Sequence, residues 1–292
     1  GPATVLTARD IEGVATINRD IRALAQRDPF VTLDPTNGTG AISIAGQNNR
    51  FNRITVDGIG FGDPFGLEAG GLASARGPVP LDAIGAFSVE IAPVDIQQGG
   101  FQGGAINTVL KSGTNKFGIT GFYSYAADEL AGDRILNRRV TRDFSSKIYG
   151  AQVTGPIIKD KLFFAVTWER IRNTTPADVG VPGEGFGNAI NAITRAEVDQ
   201  IRNIVRTVYG YDALDVARAV PETDDKLAAK VDWNIADGHR LALTYIYQKG
   251  DILAGQTGIA AVTATDPGLA LQSNNYQQGT INHYGVAQLN NE

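Results

Sequence analysis

Two unlike parts are predicted by this sequence: a mixed α+β domain over residues 1–112, and antiparallel strands of a transmembrane β-barrel over residues 113–292. Three observations predict this fold class. Beyond residue 113, apolar and polar residues alternate in runs of about 9 to 11 residues, the length that a tilted strand needs to cross a membrane. The connections between these runs are alternately short and very long. Before residue 113 the chain is rich in glycine and lacks that sustained alternation.

The first domain is predicted to contain short elements and about four core strands. We expect a helix over residues 18–26, with Asn18 as its N-cap and Asp20 in its first turn, where the helix dipole favours an anion. Residues 81–84 fit a single helical turn, and residues 46–50 form a turn rich in residue types that tolerate a left-handed backbone. The predicted strands cover residues 4–9, 41–45, 53–57, 87–92 and 105–110.

Five runs of alternating polarity follow, and a sixth begins near Thr280. They cover residues 117–126, 147–157, 162–172, 226–235 and 241–248. Residues 158–161 and 236–240 suit tight hairpin turns, whereas long connections lie near residues 127–146, 174–224 and 250–279. Outer-membrane barrels have short turns on the periplasmic side and long loops outside. We therefore expect the two short turns to be periplasmic and the long connections to be external.

The fourth run shows the alternation most clearly. One face would carry Leu227, Ala229, Val231, Trp233 and Ile235, and the other would carry Lys226, Ala228, Lys230, Asp232 and Asn234. A soluble sheet with one dry face has the same period of two, so this pattern alone leaves both folds open. Strand length, loop asymmetry and aromatic residues near the strand ends together favour the barrel. The sixth run has no clearly apolar face.

A helix is predicted inside the long connection near residues 174–224. Thr194 and Glu197 form a capping box, and Gly210 is placed to end the helix. An apolar stripe at helical spacing consists of Val198, Ile201, Val205 and Val208. We expect the stripe to pack against other external loops; the alternative is that it binds a partner.

Composition excludes several classes of function. The net charge is −5, so a nucleic-acid partner has no electrostatic support. Cysteine is absent and there are two histidines, so disulfides, thiolate chemistry and histidine-based catalysis have little basis. We predict no enzyme activity, no metal site and no cofactor. The chain lacks methionine, begins Gly1-Pro2 and stops within the sixth run, and we expect it to be an internal piece of a longer protein.

Three segments carry a resemblance to a known family. Residues 42–50 (ISIAGQNNR) with 55–58 (TVDG), and residues 103–109 (GGAINTV) with 111–114 (KSGT), resemble the plug motifs of TonB-dependent outer-membrane receptors. Residues 155–164 (GPIIKDKLFF) are similar to the first periplasmic turn of the Oar-like subgroup. The resemblance covers nearly the whole chain, and the three segments occur in the expected order.

This resemblance implies an outer-membrane location in a Gram-negative bacterium and a barrel of 22 strands filled by the plug. It also implies a TonB complex as partner, through a TonB box expected before residue 1, together with outer-membrane lipid and an extracellular ligand. The structural plug motif then comprises Gly46, Asp57, Gly58, Gly103, Gly104 and Asn107. We expect the apical plug loop with Asn48, Asn49 and Arg50 to bind the ligand.

The leading functional hypothesis is a gated receptor that imports a scarce solute. The alternative is a structural, adhesion or protein-secretion platform that uses the same barrel. A soluble all-β binding module or enzyme is the weakest hypothesis, because no catalytic constellation is present. A full reading frame with a signal peptide, a TonB box and about 16 further amphipathic strands would support import.

Overall fold

The computed structural model describes residues 3–14, 16, 19–34, 40–63, 70–74, 76–91, 103–132, 134–135, 138–139, 144–177, 179–254, 259–260 and 268–291. Two sheets organise these residues. We call the five-stranded sheet before residue 111 the plug sheet, and the six-stranded sheet after residue 117 the barrel sheet. Together they have the architecture that the sequence predicts, an α+β plug followed by antiparallel barrel strands.

The plug sheet has the strand order β1-β6-β7-β4-β5, and β2 with β3 forms a separate hairpin. Only β4 and β7 are parallel; the other neighbours are antiparallel. The elements are β1 (Ala3–Thr7), α1 (Ala8–Glu12), α2 (Ile21–Ala25), β2 (Val31–Asp34), β3 (Ala41–Ile44), β4 (Arg53–Val56), β5 (Ile59–Gly60), β6 (Ile84–Glu90) and β7 (Ala105–Leu110).

Three predictions for this part need correction. The strand predicted over residues 4–9 ends at Thr7, because a capping box between Thr7 and Asp10 starts α1 there. The second helix is shorter than predicted, and its N-cap is Asp20, whose side chain accepts a hydrogen bond from the Arg22 N–H. Asn18, the predicted cap, lies outside the described residues. The strand predicted over residues 87–92 begins earlier, at Ile84.

The barrel sheet is an antiparallel meander with the order β19-β16-β15-β12-β11-β8. Between its strands lie the short pairs β9–β10, β13–β14 and β17–β18 and the helix α3. The elements are β8 (Gly118–Ala127), β9 (Arg134–Ile135), β10 (Arg138–Arg139), β11 (Ser145–Ile158), β12 (Leu162–Pro176), β13 (Val179–Gly180), β14 (Asn188–Ala189), α3 (Arg195–Tyr209), β15 (Ala219–Ala236), β16 (His239–Ala254), β17 (Ile259–Ala260), β18 (Gly268–Leu269) and β19 (Tyr276–Asn291).

Most barrel strands are longer than the alternating pattern predicts, and they extend at the end where the long connections lie. β15 has 18 residues and begins at Ala219, seven residues before the predicted run. Its first part pairs with β12 and with β16, so backbone hydrogen bonding continues where the apolar face has ended. Polarity patterns detect only the part of a strand that separates two environments.

The two faces of β15 lie as predicted. Lys226, Ala228, Lys230 and Asp232 are buried, whereas Trp233 and Ile235 on the other face are exposed. The charged face is therefore the covered one, and the apolar face points outward. A membrane barrel requires its apolar face to point outward, toward lipid, whereas a soluble sheet buries its apolar face. On β19 the set Ile281, His283, Gly285, Ala287 and Leu289 points outward as well.

Helix α3 begins and ends where the sequence predicts. Thr194 and Glu197 form the capping box, and Gly210 caps the C-terminus with a φ of 65°. The expected packing of its stripe is found at Val198, which is 1% exposed and packs with Val181 and Val216. Val205 is half-buried, whereas Ile201 and Val208 are 44% and 68% exposed, so the expectation is wrong for these two. No helix among the described residues is long and apolar enough to cross a membrane.

Candidate functional site

The candidate site is the interface between the plug sheet and the covered face of the barrel sheet. Asp57 lies at its centre, in a β4–β5 turn where Asp57 (φ 46°) and Gly58 (φ 80°) both have a left-handed backbone. Such a two-residue turn favours the Asp-Gly sequence. One carboxylate oxygen of Asp57 accepts from the Leu110 N–H at 2.9 Å. The other lies 3.1 Å from Lys230 Nζ and accepts from Thr244 Oγ1 at 3.0 Å.

A second group of contacts surrounds Arg76. Its guanidinium forms a two-point ion pair with Glu222 of β15, with N–O distances of 2.5 and 2.8 Å. Burial by itself lowers the pKa of Arg76, but the hydrogen bonds and charge of Glu222 outweigh this and raise the pKa above its ordinary value. Next to it, the Gln248 side chain of β16 donates to the Ser74 hydroxyl.

A third group joins the segment before α2 to the neighbouring strands. Arg19 Nε lies 2.7 Å from a Glu169 carboxylate oxygen on β12, and the same guanidinium lies 2.8 Å from Asp82. Lys226 is 1% exposed and lies 3.1 Å from Asp224 and 3.8 Å from Glu169. The interface is thus held largely by charged and polar groups with little access to water.

The direction of β7 orients the plug. β7 ends at Leu110, and β8 begins at Gly118 opposite Thr154, near the short turn that joins β11 to β12. The end of β7 therefore points toward the short turns. Because β4 runs parallel to β7 with Arg53 opposite Ala105, the turn before β4 lies at the other end. Residues 46–52 are thus on the side of the long connections.

The side chains predicted to bind a ligand lie in this turn. Asn48 is exposed, and its side-chain oxygen Oδ1 accepts from the Arg50 N–H at 3.0 Å, capping a turn of 3-10 helix. Arg50 is exposed, and Asn49 is half-buried next to Gly71. The side chain of Asn48 thus has a local structural function that the sequence did not indicate.

The glycines of the plug motif have backbone functions. A side chain at Gly103 would lie 2.6 Å from the Asn52 side chain, and one at Gly104 would lie 2.8 Å from the Glu90 carbonyl. Gly46 and Gly58 have positive φ angles of 76° and 80°. Asn107 accepts from Thr55 Oγ1 at 2.8 Å and donates to Glu90 at 3.1 Å within the plug sheet.

Comparisons with known proteins agree with this architecture. Residues 109–184 match the family model of the outer membrane beta barrel domain. The chain is 27% identical over 162 residues to the TonB-dependent transporter Oar of Myxococcus xanthus, which is 52% of this chain and 14% of that protein. This chain is thus similar to a TonB-dependent outer-membrane transporter. The family match and the relative place it in the outer membrane.

Solved structures share the fold of this chain. The outer membrane transporter YddB of Escherichia coli superposes with a TM-score of 0.66 and 16% identity, covering 99% of this chain and 37% of the transporter. The siderophore receptor PirA of Acinetobacter baumannii superposes with a TM-score of 0.59 and 21% identity, covering 90% of this chain and 34% of the receptor. The chain therefore spans little more than a third of the length of these structures.

Proposed function

We propose that this chain comprises the plug, over residues 1–112, and the first barrel strands, over residues 113–292, of a receptor that imports a scarce solute across the outer membrane. In this proposal the plug gates the barrel, and TonB supplies the force that displaces it. The homology to a TonB-dependent transporter supports this function, and a siderophore receptor among the structural neighbours supports a small extracellular ligand. We further propose that Asn48, Asn49 and Arg50 contact that ligand from the apical loop.

The observation that carries the proposal is the polar interface around Asp57, Arg76 and Arg19. Buried ion pairs contribute little net stability, because the cost of removing both charges from water offsets much of their attraction. The plug is therefore held in a defined position without the large apolar contact that would make it inseparable from the barrel. Such an interface suits a plug that has to be moved.

The test uses cysteines introduced singly into the full-length protein, and this chain contains none of its own. Asn49→Cys should react with a membrane-impermeant thiol reagent added outside whole cells, with or without TonB. Ser74, 2% exposed in the interface, is the reporter. Ser74→Cys should react only in energised cells that contain TonB. Equal reactivity of Ser74→Cys in cells lacking TonB would contradict gating, and labelling of Asn49→Cys only from the periplasm would reverse the orientation.

One observation favours the second candidate, an adhesion or secretion platform. The external helix α3 leaves Ile201, Ile204 and Val208 at least 44% exposed, and exposed apolar residues of this kind mark interaction surfaces. A platform that imports nothing has no need to displace its plug. In that case Ser74→Cys would remain unreactive in every strain, while Asn49→Cys would still be labelled.

A further inference from the structure

The outward face of the barrel sheet carries an apolar band with a charged border. On β15 the outward residues from Leu227 to Ile235 are apolar, and Asp225 precedes them. The ten residue-to-residue steps from Asp225 to Ile235 span about 33 Å along the strand, or about 25 Å across a membrane at the usual strand tilt. This equals the height of the lipid-facing band in outer-membrane barrels. The level of Asp225 is thus the outer edge of the hydrocarbon layer.

Two cations lie directly opposite each other just beyond this edge. Lys147 on β11 is in register with Arg172 on β12, and both are exposed on the outward face. Among the described residues, neither forms an ion pair with a carboxylate, and Lys147 Nζ lies 5.7 Å from the centroid of the Tyr125 ring on β8. Like charges opposite each other on adjacent strands repel, so this arrangement costs free energy unless an anion lies between them.

The neighbouring cations at this border are already paired. Arg170, two residues before Arg172, makes a two-point ion pair with Asp225, which lies opposite it on β15. Lys249 on β16 lies 3.9 Å from Asp251. Within the described part of the chain, Lys147 and Arg172 therefore stand out as a cationic pair that has no carboxylate partner.

An aromatic surface lies immediately below the pair, toward the membrane. Tyr149 packs edge-on against Trp168 with ring centroids 5.6 Å apart, and Tyr123 lies 6.2 Å from Tyr149 on the other side. Aromatic residues of this kind occupy the membrane interface, where they contact both headgroups and acyl chains. A ligand for this place has an anionic head at the level of the cations and apolar chains beside the rings.

We propose that Lys147 and Arg172 bind the phosphate of a phosphorylated glycolipid in the outer leaflet, with its acyl chains along Tyr149 and Trp168. The planar guanidinium of Arg172 suits two-point binding of a phosphate, and the Lys147 ammonium adds a point charge from the adjacent strand. The site rests on the orientation assigned above, with the long connections outside. It is independent of whether the barrel imports a solute.

The experiment measures retention of bisphosphorylated lipid A by the full-length protein, using native mass spectrometry in detergent. The double variant Lys147→Gln/Arg172→Gln should bind this lipid about 30-fold more weakly, since each basic residue near an anionic membrane surface strengthens binding about 5-fold and the two factors multiply. Lys159→Gln/Lys161→Gln removes the same charge at the short turn and should bind as the unaltered protein does. Equal weakening of both variants, or of neither, would overturn the proposal.

A second arm needs no variant and separates the lipid from free phosphate. The unaltered protein should bind dephosphorylated lipid A about 30-fold more weakly than the phosphorylated form. Inorganic phosphate in millimolar excess should not displace the lipid, because it lacks chains to contact Tyr149 and Trp168. Equal binding of the two lipids by the unaltered protein would contradict the site even if the double variant failed to fold. Displacement of the lipid by inorganic phosphate would show that the cations bind any anion. That last result would also overturn a lipid site, while leaving the proposed import function untouched.

Discussion

Asp57 connects the plug sheet to two barrel strands with a single carboxylate. It accepts the Leu110 N–H within the plug and contacts Lys230 of β15 and Thr244 of β16. The backbone of the same residue makes the β4–β5 turn, and its carbonyl accepts from Gln288 of β19 at 3.1 Å. One residue thereby fixes a turn, closes the plug sheet and positions the plug against the barrel.

We predict that breaking the Asp57–Lys230 pair from one side destabilises the plug more than removing both charges. In the full-length protein, Lys230→Gln should lower the free energy of plug unfolding by about 3 to 5 kcal/mol, because it leaves a buried carboxylate without its counter-charge. Asp57→Asn/Lys230→Gln should cost less than Lys230→Gln alone, because neither charge is then buried without a partner. Calorimetry of the plug transition measures this, with Lys249→Gln on the outward face as the control. Strictly additive losses would mean that the two charges are not coupled.

Strand β15 shows how one element separates two environments residue by residue. Its inward side chains Lys226, Lys230 and Asp232 meet the plug or neighbouring polar groups, while Leu227, Ala229 and Val231 face outward. The alternation follows from strand geometry, since successive side chains point to opposite faces. A shift of the strand register by one residue would turn these inward charges toward the lipid.

The prediction for this strand concerns Val231 and its neighbour. In the full-length barrel, Val231→Arg should destabilise the fold by about 2 to 4 kcal/mol, the cost of a cation on the lipid face near mid-depth. Spin labels at positions 231 and 232 provide the matched comparison in bilayers. The label at 231 should be highly accessible to oxygen and poorly accessible to a nickel chelate, whereas the label at 232 should be oxygen-poor. Low oxygen accessibility at 231 would indicate a protein core on that face.

At the scale of the whole molecule, the apolar core belongs almost entirely to the plug. Among the described residues, its buried cluster includes Phe61, Phe87 and Ile106, and the barrel contributes Ala228 and Ile246 to it. Contact with the barrel is otherwise polar, apart from the ring of Tyr284, which lies 4.2 Å from that of Phe61. The plug thus has the core of a small domain and an interface of a different character.

We predict from this division that residues 1–112 fold when expressed alone. The domain should be soluble and should show dispersed amide resonances, because its apolar core needs few residues from the barrel sheet. The Lys111→Gln variant is the control, because it removes the exposed ion pair with Glu12. This change should lower the free energy of unfolding by less than about 1 kcal/mol. An unfolded or aggregated product under all conditions would show either that the boundary is misplaced or that the plug needs the barrel to fold.

Local patterns were sufficient for much of this fold. Polarity alternation identified the six barrel strands, and the capping box of Thr194 with Glu197 located α3. The short strands β2 and β5 were not predicted, because they contain only four and two residues and show no usable period of polarity. The predicted burial of the α3 stripe was wrong for Ile201 and Val208, because periodicity shows which face is apolar but not what covers it.

The sequence by itself determined the alternating faces of the barrel strands, their order along the chain and the capping box of α3, since each depends on residues close together in the chain. Only the tertiary structure decided which charges meet at the interface. Asp57 contacts Thr244 across 187 residues, and Arg76 contacts Glu222 across 146. Such pairs form because the plug sheet lies against one level of the barrel wall, and burial then requires each charge to find an opposite charge there.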